Sequence, residues 1–147
     1  MLNSATRYRL RCINHMVQHD IAFMSTLELR TLIRDKQISP VEATKLYLNR
    51  IEKLDSELNS YITVTADEAI RSAKLAEDAI VRGENLGPLH GIPISIKDLE
   101  STKGILSTNG SIIFKDRVPD ADSIVVERVR QAGAVILGKT NTPEFGV

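Results

Sequence analysis

Lys97 closes the segment Gly91-Ile92-Pro93-Ile94-Ser95-Ile96-Lys97-Asp98, in which a lysine follows a run of apolar residues. An ammonium group at the end of such a strand is costly to bury unless it is neutral or paired, and burial lowers a lysine's pKa. A lysine tuned in that way serves as a general base near neutral pH. The plainer alternative is a strand-end lysine that reaches solvent along its own methylenes and pairs with Asp98 or another acid. Spacing leaves both readings open.

Two further patterns look chemical. Residues 133–140 read Gly-Ala-Val-Ile-Leu-Gly-Lys-Thr and satisfy the phosphate-loop pattern G-x-x-x-x-G-K-[ST]. Phosphate cradling needs a loop after a strand and a helix that begins at the Lys-Thr pair. Here a helical pattern precedes Gly133, the middle residues read as a strand, and Asn141-Thr142-Pro143 follows. The order is inverted, and nucleotide binding is rejected. His15 and His19 stand four apart, as zinc ligands on a helix can, but Met16 follows His15 where a metalloprotease motif has its glutamate. No metal is expected there.

Helices and short strands must position Lys97. Ser25 with Glu28 forms a capping box for a helix to about Asp35, and Ser39-Pro40-Val41-Glu42 opens a second to about Leu54. Tyr47, Ile51, Leu54 and Leu58 share one face of it. Residues 61–65 are β-branched and alternating, which predicts a strand. Ala66 to Arg82 predicts a third helix, with Ala66, Ile70, Ala73, Ala76 and Ile80 inward and Gly83 as its stop. A strand follows over 92–96, constrained by Pro93; a helix capped by Asp122 or Ser123 runs to Ala132; and a last strand covers 134–137. Helices alternating with short apolar strands predict an α/β layer architecture.

Composition narrows the class. The 147 residues are 42% hydrophobic and 26% charged, with 19 basic against 19 acidic side chains. That is a globular composition, and zero net charge argues against a nucleic-acid binder. No apolar run approaches the ~20 residues of a membrane helix. Cys12 is the sole cysteine, so no intrachain disulfide forms and a reducing, cytoplasmic compartment is expected. Residues 1–23 hold Arg7, Arg9 and Arg11 against Asp20 alone. They read as an extension ahead of a start at Met24, or as a mitochondrial presequence. Residues 24–147 read as an incomplete domain.

The stretch from Gly87 to Asp98 resembles the amidase signature family, whose catalytic lysine sits in a Gly-Ile-Pro-x-x-(Ile/Val)-Lys-Asp segment. The likeness continues through Thr102-Lys103-Gly104, Ser107-Thr108, residues 122–126 and residues 132–141, and ends at Pro143-Glu144-Phe145-Gly146. The resemblance implies an α/β fold, the N-terminal part of the amidase signature fold, with a mixed β-sheet flanked by helices. It also implies Ser-Ser-Lys chemistry on linear amide C–N bonds, without metal or other cofactor. Only the lysine carries over, to Lys97. The family's two serines follow the segment matching residues 143–146, so Ser95, Ser101, Ser107 and Ser111 are not promoted to those roles. His90 is read as structural, Asp98 as a partner that orients the strand end or Lys97, and Lys139 as a surface residue or turn stabiliser.

Three functions compete. The first is a hydrolase of small carboxamides or aryl amides, with a small-molecule amide as partner, no direct nucleic-acid or membrane contact, and a homodimer left open. The second is the amidase subunit of a tRNA-dependent amidotransferase. Thr142-Pro143 ahead of Glu144-Phe145 favours the first, because the amidotransferase branch more often carries Met-Asp there. The third is a non-catalytic fragment or interaction module, and the 147 residues alone are expected to be inactive.

Overall fold

The computed structural model describes residues 21–147, so the histidine pair, Cys12 and most of the basic N-terminal segment lie outside the described residues. Helix α1 (Thr26–Arg34) and helix α2 (Pro40–Leu58) each start on the expected capping box: Ser25 and Ser39 accept from the backbone N–H of Glu28 and Glu42, whose carboxylates reach back. Pro40 occupies the first turn of α2, where its missing N–H costs nothing. The helix runs a turn past Leu54 and ends where Asn59 adopts a left-handed conformation. Strand β1 (Tyr61–Val64) and helix α3 (Ala66–Arg82) follow, and α3 is stopped by Gly83 as the sequence predicts.

Strand β2 (Pro93–Lys97) begins with its proline, a position that needs no ladder hydrogen bond. Helix α4 (Ile124–Gln131) is capped by Ser123, and strand β3 (Val135–Thr140) reaches three residues beyond the expected Leu137. Short 3₁₀ turns cover Ile112–Phe114 and Glu144–Gly146. The strands order β1-β3-β2, with β1 antiparallel and β2 parallel to the central β3. This is the expected mixed sheet.

Both faces of the sheet are covered. On one, Ala69 and Ala73 of α3 pack against Val135 and Leu137, with Leu48 and Ile51 of α2 beside them. The small side chains let the helix approach the strands closely. Ala66 is exposed in the first turn, so the inward stripe of α3 starts one turn later than the sequence predicts. On the other face, Ile96 and Ile136 pack with Ile105 and Val126. A third cluster joins Leu29, Ile33, Leu46, Ile80 and Ile92.

Strand β3 carries a bulge. Ile136 pairs with Ile94 but Gly138 pairs with Ser95, so Leu137 is an extra residue. An extra residue reverses which face each later side chain takes. Lys139 therefore pairs with Ile96 and falls on the Ile136 face. Gly138 sits at φ +154°, and a Cβ there would lie 2.1 Å from the Thr63 carbonyl oxygen. Only glycine fits.

Candidate active site

Lys97 is the last residue of β2 and is exposed, whereas Ile96 before it and Asp98 after it are buried. Side chains alternate along an extended strand, so Lys97 leaves the sheet on the face opposite Ile96 and Asp98. It pairs with Thr140, which pairs with Tyr61 in β1, placing the three in one row across the sheet. Ser95 shares that face, and its hydroxyl contacts the Tyr61 hydroxyl. Ile94 and Ile96 point into the core on the other side, packed with Ile105, Val126 and Ile136. They are neighbours of Lys97 along the chain and pack on the opposite face of the sheet.

Asp98 does not pair with Lys97. Its carboxylate faces Lys139, with Oδ1 3.1 Å from Nζ and both side chains wholly buried. The expectation of a surface Lys139 is therefore corrected: the bulge turns this residue inward from the central strand. Its best-directed hydrogen bonds run from Nζ to the Glu100 carbonyl and the Ser107 hydroxyl, each at 2.7 Å. Asp98 Oδ2 accepts from the Thr108 N–H at 2.9 Å and the Thr108 hydroxyl at 2.6 Å. Burial pushes the Lys139 amine below the ordinary lysine value, and the Asp98 carboxylate opposes that shift. Serine beside a lysine of lowered pKa has the chemistry of a catalytic dyad, but Ser107 and Lys139 are sealed from solvent. No substrate reaches them.

The other serines have structural partners. Ser101 accepts from Arg117, Ser111 donates to Glu144 at 2.6 Å, and Ser95 meets Tyr61. His90 Nε2 lies 2.9 Å from the Ala76 carbonyl oxygen. A carbonyl only accepts, so Nε2 carries the proton and the ring ties the loop before β2 to α3. Among the described residues no group of three His, Cys, Asp or Glu side chains could hold a metal ion.

Residues 133–140 contradict a phosphate loop in the way the sequence suggests. Gly133 ends α4, and the next residues form β3, whose backbone is paired on both sides. The sequence signal for the buried Lys139 was Gly138, since a glycine inside a strand marks a bulge.

A mixed three-stranded sheet covered by helices, with an exposed lysine ending one strand and a buried acid–lysine pair behind it, defines an α/β protein. Residues 42–147 match the model of the family described as Amidase, and the chain belongs to that family. It is 40% identical over 128 residues to the A-subunit of the glutamyl-tRNA(Gln) amidotransferase of Carboxydothermus hydrogenoformans, covering 87% of this chain and 26% of that protein. A bacterial aryl acylamidase of the amidase signature enzymes superposes with a TM-score of 0.79 at 33% identity, over 84% of this chain and 26% of that one. The peptide amidase of Stenotrophomonas maltophilia gives a TM-score of 0.79 at 33% identity, with the same coverages. The chain thus spans about a quarter of the length of these relatives. Among the described residues, no helix is long and apolar enough to cross a membrane.

Proposed function

We propose that this chain supplies the general base of an amide-bond hydrolase of the amidase signature type, and that Lys97 is that base. The observation that carries the reading is the placement of Lys97, whose side chain is exposed at the end of β2 between two buried neighbours. In the Ser-Ser-Lys scheme, the neutral lysine takes a proton through a bridging serine, joined by a cis peptide bond, from a nucleophilic serine. The nucleophile attacks the amide carbonyl, backbone N–H groups hold the oxyanion, and water releases the acyl-enzyme. In that scheme, on our reading, both serines follow the segment matching residues 143–146. The lysine is the member of that scheme to which the resemblance assigns a residue of this sequence, Lys97. Reading the coding sequence past the Val147 codon for an in-frame Gly/Ser-rich segment, then assaying that polypeptide on aryl amides with Lys97 intact and replaced, tests the proposal.

A second reading is the amidase subunit of a tRNA-dependent amidotransferase. It is favoured by the 40% identity to a protein of that name. Glutamine hydrolysis that accelerates on adding partner subunits and charged tRNA selects this reading. Turnover of simple amides without partners selects the first.

A further inference from the structure

We infer that Asp98 and Lys139 are positioning residues for Lys97, acting through the backbone from the far face of the sheet. This rests on the reading of Lys97 as the base. The pair joins points that are distant in sequence. Lys139 in β3 holds Asp98, the Glu100 carbonyl and Ser107, and Asp98 in turn holds Thr108. These contacts clamp the turn that leaves β2. Inside the clamp, the Asp98 N–H donates to the Thr140 carbonyl at 3.1 Å and the Glu100 N–H donates to the Lys97 carbonyl at 3.0 Å. Both groups of the peptide unit that follows the Lys97 Cα, its C=O and the next N–H, are thereby fixed. Among the described residues the Lys97 side chain has no hydrogen-bonding or ionic partner, and within them it is the backbone that aims it.

Stability alone does not account for the pair. Replacing a buried ion pair by apolar groups of similar volume is often neutral or stabilising, because desolvation offsets the mutual attraction. What charge and directed hydrogen bonds add is a single geometry: an apolar contact tolerates sliding, whereas Nζ must meet three oxygens in fixed places. A catalytic base needs that fixity, since a displacement of about 1 Å can cost ~100-fold in rate.

The test uses the 147-residue chain and its Asp98→Asn/Lys139→Met double variant, which removes both charges and keeps volume. Backbone amide exchange and the Lys97 ¹³Cε resonance are followed by NMR. The informative amides are those of positions 98 and 100, whose acceptors on Thr140 and Lys97 are untouched by the substitutions. The expected result is exchange at least ~10-fold faster at those two amides with that of Ala73 and Val135 unchanged, and a broadened or split Lys97 resonance. Ser107→Ala, which removes one hydrogen bond from Nζ, moves the same amides by a smaller factor. Uniform acceleration that includes Ala73 and Val135, or loss of the fold, overturns the proposal by making the pair a general stabiliser. Unchanged exchange at positions 98 and 100 with a sharp Lys97 signal overturns it too. None of these readouts depends on catalysis, so failure of Lys97 as the base is seen separately, in the amide assay.

Discussion

Lys97 and Asp98 are consecutive, yet their side chains leave opposite faces of the sheet: Lys97 is exposed, while Asp98 is sealed against Lys139. One side chain is open to solvent and the next is held inside the protein. This division of labour sets different expectations for substitutions at the two positions.

At Lys97, on the proposed role as base, a change should alter turnover and spare the fold. Lys97→Ala and Lys97→Arg should each lower turnover by ~10²–10⁴-fold in a polypeptide that carries the nucleophile. Arginine keeps the charge but cannot accept a proton, so it separates a base from a mere cation. Unfolding of the 147-residue chain in urea should shift by no more than ~0.5 kcal/mol for either variant. An arginine variant with more than about a tenth of the parental rate would show that Lys97 acts by charge alone.

At the buried pair the pattern reverses. Lys139→Met leaves the Asp98 carboxylate buried without its cation, and Asp98→Ala leaves the Lys139 ammonium without its anion. Each single substitution should cost about 3–5 kcal/mol, whereas the Asp98→Asn/Lys139→Met double variant should cost much less than the sum. Urea titrations of the parent, the single variants and the double variant measure the coupling. Additive losses would mean that the two side chains do not act as a pair.

The helices and their starts were legible because capping boxes and apolar periodicity are local signals. The reach of β3 and the burial of Lys139 were not, since both depend on pairing with distant strands. A lysine following Leu137 and Gly138 reads as the end of a strand until Tyr61 and Pro93–Lys97 are placed on either side of it. Lys97 was marked as a candidate base by its segment and the family resemblance, and the structure adds its exposure at the end of β2. Its apolar chain neighbours misled, because Ile94 and Ile96 take the opposite face by simple alternation.

Gly138 tests the bulge that makes this arrangement. Gly138→Ala would press a methyl group to 2.1 Å from the Thr63 carbonyl oxygen and 3.0 Å from Val64 Cα, both backbone atoms of β1. Backbone cannot swing aside as a flexible side chain does. The expected loss is about 3 kcal/mol, with faster amide exchange concentrated in β1 and β3. A change below ~1 kcal/mol would mean that β1 shifts without cost and that the bulge does not require glycine.

Lys139 also sets a pH dependence. Its folded-state pKa lies below the ordinary lysine value of 10.5 because burial disfavours the ammonium, against the attraction of Asp98. The unfolded chain therefore binds more protons than the folded chain at pH values between the lowered pKa and 10.5. Stability contributed through Lys139 rises with pH across that window and levels off above it. Other titrating groups act in the same range, so the readout is a difference. The urea midpoint of the parent should climb, from neutral pH toward 10.5, relative to that of the Asp98→Asn/Lys139→Met variant, which lacks the lysine and its partner. A relative fall over the same range would mean that the Asp98 attraction outweighs burial, reversing the direction of the shift.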